Sequence, residues 1–336
     1  MKRASLPLLR RREFITLLGG AAAWPLAAQA QPGERMRRLG VLLNGAESDP
    51  EMQSGLTAFR QGLEQLGWSV GRNIQIESRF AANNSNQFQP LAKELVALHP
   101  DVILARSTPI ASALQRETST IPIVFMFVSD PIVSGLVASL ARPGGNITGL
   151  LLYEPTITGK WLSMLKEIEP QLKQAVLMGH PNRTPYDSFL EAAETVKLSL
   201  AIKILPSRVE TEADIERSMN SLAQVPESGF VVLPDNLLIQ HRDLIIVLAA
   251  RHRLPMVYPF RFFVTAGGLM SYGTDDIAQH RQAATYVDRI LRGTKPADLP
   301  VQTPTKYQTV INLKTARALG FAVPPGLRVA ADEVIE

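Results

Sequence analysis

From Leu39 onward, short runs of consecutive apolar residues alternate with amphipathic stretches, and this rhythm constrains the fold more than any other feature of the chain. A strand covered by helices on both faces is apolar on both faces and reads as an unbroken run. A strand with one wetter face alternates instead. Residues 39–43 form an unbroken run, 101–105 is apolar after Asp101, and the apolar run at 121–128 is broken only by Pro122, while 73–77 alternates. Helical periodicity fills the gaps, near 51–66, 87–98 and 110–117. Arg142-Pro-Gly-Gly-Asn146 interrupts the rhythm, which resumes with strands at 147–152, 174–179, 201–205, 229–233 and 255–258. Helices are expected between them near 159–168, 186–200, 212–222 and 237–253. Strands alternating with helices predict an α/β protein whose parallel sheets are wound on both faces. The two similar stretches predict two such lobes, the usual partition for a chain well beyond the ~100–200 residues of one core.

The last third differs. A strand over 267–273 ends in glycine, a helix follows over 276–292, residues 295–301 are extended, and a strand at 307–312 feeds a helix at 314–319. A lone strand–helix pair cannot bury itself, so these pieces must dock on lobes already formed. The chain then crosses between lobes more than once. The crossings border a cleft lined by strand C-terminal ends, where open α/β sheets bind ligands.

The first thirty residues belong to a different physical class. Lys2, Arg3, Arg10, Arg11 and Arg12 face one acid, Glu13, and an apolar stretch then runs from Ile15 to Ala28. Ala28-Gln29-Ala30 closes it with a small-x-small exit, so residues 1–30 read as a secretory signal cleaved near Ala30. The stretch is shorter than the ~20 residues that span a bilayer, which makes it a signal and not an anchor. Arg11-Arg12-Glu13-Phe14-Ile15 is twin-arginine-like. The leader also explains the basicity. The whole chain has 35 Lys+Arg and 31 Asp+Glu; without the leader the counts are 30 and 30. No excess charge remains for nucleic acid. With no cysteine, disulfides, thiol catalysis and an N-terminal lipid anchor are excluded. A free, monomeric periplasmic protein without stable membrane insertion is expected.

Enzyme signatures are missing. There is no G-x-S-x-G elbow, no phosphate loop, and no G-x-G-x-x-G after the first strand, whose exit is Asn44-Gly45-Ala46-Glu47. His99, His180, His241, His252 and His280 form no compact ligand pattern. No catalytic residue, cofactor or metal is expected. What recurs is polarity at strand exits. Ser107-Thr108-Pro109 and Ser129-Asp130-Pro131 each follow an apolar run and place hydroxyls and free backbone N–H groups at an expected helix start. That suits a carboxylate, although ordinary capping uses the same residues. Gly179-His180-Pro181-Asn182, Pro234-Asp235-Asn236 and Tyr258-Pro259-Phe260 supply a corresponding set in the second lobe. Asp235 either holds a ligand ammonium or caps a helix, and His180 either faces the cleft or serves its turn. Tyr258, Phe260 and Tyr272 are candidates to stack on a flat ligand. Arg106, a charge at a strand exit, is either a snorkelling surface residue or a ligand-facing guanidinium. The candidate ligand-binding set is therefore Asn44, Arg106, Ser107, Thr108, Ser129, Asp130, His180, Asp235, Tyr258 and Tyr272.

Several long strings carry a family resemblance: the leader, D-P-I-V-S-G-L-V-A-S-L-A-R-P-G-G-N-I-T-G (130–149), Y-P-F-R-F-F-V-T-A-G-G-L-M-S-Y-G (258–273), and R-G-T-K-P-A-D-L-P-V-Q-T-P-T-K-Y-Q-T-V-I-N-L-K-T-A-R-A-L-G (292–320). Together they resemble the ABC-transporter substrate-binding family related to tryptophan- and tyrosine-binding proteins. The resemblance implies a type I periplasmic-binding fold with three crossings, residues 37–145 plus 268–298 forming one lobe and 146–267 plus 299–336 the other. It implies that a small carboxylate-bearing or amino-acid-like metabolite is trapped between lobes and delivered to an ABC permease and its ATPase. A solute sensor signalling through a membrane partner is the alternative use of such lobes. The family often has a small residue at the position of Arg106 and glycine at that of Ser129, two departures at the expected ligand face.

Overall fold

The computed structural model describes residues 35–182, 185–222 and 225–336; the expected leader, its twin-arginine-like pair and its cleavage point lie outside them. Two sheets organise the chain. In the first, β1 (Arg37–Leu43), β2 (Ile74–Phe80), β3 (Val102–Arg106), β4 (Ile123–Val128) and β5 (Ile147–Leu151) lie parallel in the order β2-β1-β3-β4-β5. The central strands β3 and β4 are buried along their whole length, as unbroken apolar runs require. Helices α1 (Pro50–Gln65), α2 (Phe88–Ala97) and α3 (Thr108–Glu117) connect them. Asp49 caps α1 by accepting from Glu51 N at 3.0 Å, with Pro50 in the first turn.

The second sheet takes β6 (Gln174–Gly179), β7 (Lys203–Arg208), β8 (Ser228–Val232), β9 (Met256–Tyr258), β10 (Met270–Thr274), β11 (Tyr307–Asn312) and β12 (Glu333–Ile335) in the order β12-β11-β10-β9-β8-β6-β7. All pairs are parallel except β10 with β11. Edge strand β7 alternates exposed and buried positions, whereas β8 is buried throughout. Helices α4 (Ile157–Ile168), α5 (Tyr186–Leu200), α6 (Glu212–Leu222), α7 (Asn236–Gln240), α8 (Arg242–His252), α9 (Arg261–Thr265), α10 (Asp276–Leu291), α11 (Leu313–Leu319) and α12 (Pro325–Ala330) complete the chain. The expected single helix at 237–253 is two helices with a break at His241.

Sheet membership departs from the sequence expectation at two strands. β5 (Ile147–Leu151) extends the first sheet beside β4, and β10 (Met270–Thr274) belongs to the second, between β9 and β11. Both sit next to a crossing, where an apolar run fits either neighbouring sheet and pattern alone does not assign it. The crossings therefore follow β5, β10 and the extended segment at Gln302, which pairs with Leu150 of the first sheet.

Helix α10 returns to the first lobe and packs along α1 and against β3, β4 and β5. Gly55 and Gly62, seven residues apart on one face of α1, permit the close approach. A Cβ on Gly55 would lie 2.4 Å from the His280 ring, and one on Gly62 would lie 2.9 Å from the Ala284 Cβ. Trp68 Nε1 donating to Asp288 Oδ1 at 2.8 Å and Arg292 Nη2 donating to the Leu66 carbonyl at 2.9 Å fasten the far end. This docking brings Asp276 and His280, at the start of α10, to the exits of β3 and β4.

Candidate functional site

In each sheet the strand order reverses once between neighbours whose exits diverge, β1 and β3 in the first, β6 and β8 in the second. Ligand crevices form at such switch points. Here both open on one cleft, lined by Asn44 after β1, Arg106 at the end of β3 with Ser107 and Thr108 after it, and Phe127 and Ser129 at the end of β4. From the second lobe come Pro234, Asp235 and Asn236 after β8, with Phe260 ahead of α9. The cavity measures about 40 Å³, far below the ~300–1,000 Å³ of sites that engulf organic ligands. A cleft of this size does not enclose an organic solute as it stands.

Six of the ten sequence candidates meet in this cleft: Asn44, Arg106, Ser107, Thr108, Ser129 and Asp235. Ser107 sits in strained backbone, φ +105°, held by its N–H donating to the Met126 carbonyl and its own carbonyl accepting from Ala111 N. Its Oγ is buried without a hydrogen-bond partner, and as N-cap of α3 it makes no side-chain capping bond. The start of α3 therefore keeps free N–H groups and an unused hydroxyl, an arrangement that receives an anionic group. Asp235, by contrast, caps α7, accepting from Leu237 N at 2.7 Å.

Four candidates fall elsewhere. Asp130 accepts from Ile132 N and Val133 N and closes a turn, because no helix forms after Pro131. His180 is buried and accepts at Nδ1 from Asn182 N, which spends that nitrogen on the turn. Tyr258 is core: its ring stacks on Phe263 at 4.9 Å, and burial pushes its hydroxyl pKa up. Tyr272 stacks on Tyr307 at 5.3 Å, away from the cleft lining.

Arg106 is the centre of the site's electrostatics. It is 4 % exposed, with its guanidinium stacked over the Phe127 ring at 4.2 Å. Nη1 donates to Asn44 Oδ1 at 2.6 Å, and Asn44 Nδ2 donates in turn to Asn236 Oδ1 of the second lobe at 3.0 Å. Burial lowers the Arg106 pKa, and the charges of Asp276, Asp49 and Glu51, in falling order, only partly offset this. Asp276 stands 4.0 Å from Nη2 and is shared with His280, whose Nδ1 is 3.1 Å away. Burial alone would raise the Asp276 pKa; His280 and Arg106 hold it below the ordinary carboxylate value.

Sequence reasoning missed Phe127 and Asp276 as candidate site residues, and it named Asn236 only as part of the Pro234-Asp235-Asn236 exit. Phe127 falls where the β4–β5 register slips, with φ +58°, a bulge that re-aims its ring beneath Arg106. In sequence it is one more aromatic in an apolar run. Asp276 reads as an ordinary first-turn acid of a helix, and only the docking of α10 brings it to Arg106. Phe260, one of the aromatics the sequence offers for stacking, lines the cleft 6.5 Å from Phe127 and joins the two lobes by ring contact. A larger cavity of about 520 Å³ lies alongside, with Glu51, Arg261, Asp275 and Asp276 in its walls, and it shares Phe260 with the cleft.

A two-lobed α/β protein with a polar cleft between sheets defines the class of solute binders that close over their cargo. The family model described as ABC transporter substrate binding protein matches residues 46–335, and the chain belongs to that family. It is 27% identical over 271 residues to a tyrosine-binding protein of Clostridioides difficile strain R20291, covering 80% of this chain and 77% of that protein. Among solved structures, a Streptococcus pneumonia domain in complex with L-Trp superposes with a TM-score of 0.82 at 22% identity, over 89% of this chain and 99% of the other. A ligand-free, open substrate-binding protein with adhesive properties from Clostridium difficile gives 0.69 at 24% identity over the same shares of the two chains. Among the described residues no helix is long and apolar enough to cross a membrane.

Proposed function

We propose that this chain is the solute-capturing receptor of an ATP-driven importer, working outside the cytoplasm and without catalysis of its own. The cargo is a small carboxylate-bearing, amino-acid-like metabolite. The observation that carries this reading is the meeting of Asn44, Arg106, Ser107, Thr108 and Ser129 with Asp235 and Asn236 in one cleft at the switch points of both sheets. A ligand carboxylate is received by the unused hydroxyl and N–H groups at the start of α3. Asp235 holds α7 so that Asn236 meets Asn44 when the lobes close. The small cleft supports a closed form. Solute adds contacts available only when closed and so shifts the population toward that form. The closed receptor then docks on a membrane permease powered by an ATPase, to which it delivers the solute.

Native mass spectrometry of protein purified from its own periplasm tests the reading by showing a stoichiometric small molecule. With that solute, Thr108→Val weakens binding by about 1–3 kcal/mol through loss of a buried hydrogen bond. Unchanged affinity in titration calorimetry, or uptake that persists after deletion of the permease, contradicts the corresponding part of the proposal.

A further inference from the structure

From the contacts of Arg106 we infer that the cleft selects an anionic solute of the dicarboxylate class, acidic amino acids included, over the aromatic amino acids named for its relatives. The inference rests on the solute-receptor reading and sharpens it.

Three features of Arg106 lead there. First, the guanidinium is under-used. Nη1 is engaged by Asn44, but Nε has no hydrogen-bond partner and Nη2 has only the distant Asp276. The Nε–Nη2 edge is the fork that grips a carboxylate with two parallel hydrogen bonds. Second, the buried charge is under-compensated. Asp276 is 4.0 Å from Nη2 and closer to His280, at 3.1 Å, and Asp49 and Glu51 act on the guanidinium only from farther off, so no acid meets it at hydrogen-bond distance. A buried cation is stable when paired and hydrogen-bonded, and the outstanding half of that requirement is met by an anion from the cargo. Third, the guanidinium covers the ring of Phe127 at 4.2 Å, the face on which a flat apolar side chain would otherwise lie. Arg106 thus blocks an aromatic cargo and attracts an acidic one.

The unused Ser107 hydroxyl and the start of α3 lie directly after Arg106 in the chain. One carboxylate is received there. A second engages the free fork, so that a solute with two carboxylates satisfies both. A zwitterion with an aromatic side chain satisfies only the first.

The test uses the mature chain, freed of bound solute by partial unfolding and refolding, and titration calorimetry with L-glutamate, L-aspartate, succinate, L-tryptophan and L-tyrosine. At least one of the three acidic compounds is expected to bind, with tryptophan and tyrosine at least ~10-fold weaker. Arg106→Lys, which keeps the charge and loses the fork, lowers acidic-solute affinity on the order of 10–100-fold. Arg106→Ala uncovers Phe127 and gains affinity for an aromatic amino acid, a result that misfolding cannot imitate. Tryptophan or tyrosine binding to the unaltered chain as tightly as any acid overturns the inference while leaving a solute receptor in place. Binding of none of the five also overturns it, and the co-purifying solute then decides the broader reading separately.

Discussion

The two walls of the cleft are built on opposite principles. The first-lobe wall is strained and incompletely satisfied: Ser107 at φ +105° with an idle hydroxyl, Phe127 at φ +58° in a bulge, and Arg106 buried with half its donors idle. The second-lobe wall is settled. Asp235 caps α7, Phe260 stacks on Phe262 at 5.1 Å, and Asn236 completes a hydrogen bond to Asn44. Unmet polar groups and strained backbone persist where surrounding structure over-determines them, commonly where a ligand will use them. On the proposed reading, this difference gives recognition to the first lobe and closure to the second.

Asp276→Asn should break this contrast hardest, since it strips Arg106 of its nearest protein counter-charge. Removing one member of a buried pair costs roughly 3–5 kcal/mol; Asp276 is half-buried and its pair is long, so about 2–3 kcal/mol is expected from urea unfolding. Acid titration gives an independent check. The Asp276 pKa is held below its unfolded value, so its contribution is fully present above about pH 4 and is lost as pH falls through the lowered folded pKa. The Asn variant should lose that part of the slope; a curve parallel to that of the unaltered protein would mean the charge does not support Arg106.

Asp235→Ala sharpens the comparison from the other side. Loss of a helix cap costs about 1 kcal/mol of stability, and affinity for the solute should change less than it does in Thr108→Val. An affinity loss without a stability loss would move recognition into the second lobe. The smallest effect is expected from Ser107→Gly, which relieves the left-handed backbone. It should leave stability unchanged or raise it by less than ~1 kcal/mol while weakening solute binding. A clear loss of stability would show that the Ser107 side chain serves the fold.

The sequence resolves the two walls unequally, for physical reasons. Unbroken runs such as 102–105 report burial on both faces, and polar residues following them must lie at strand exits, so the exit positions of Asn44, Ser107, Thr108, Ser129 and Asp235 are legible. Whether an exit residue is spent on its own turn depends on the backbone beyond it. Asp130 and His180 are spent in this way, and nothing in their local pattern separates them from Ser107. Tyr258 and Phe260 look equivalent in sequence, yet one ends inside the second lobe and the other on the cleft wall, because β9 stops at Tyr258 and Phe260 is the N-cap of α9. Phe127 and Asp276 depend on a bulge and on the docking of a distant helix, which no local periodicity encodes. The strands β5 and β10 were found but assigned to the wrong neighbours for the related reason that crossings are set by long-range packing.

A crystal structure of the chain with its co-purifying solute tests the central claim most directly. The account predicts the solute between Ser107–Thr108 and Asp235–Asn236, with a carboxylate on the Nε–Nη2 edge of Arg106. Solute lodged instead in the neighbouring 520 Å³ cavity beside Glu51 and Arg261, with the Arg106 contacts unchanged, would contradict it.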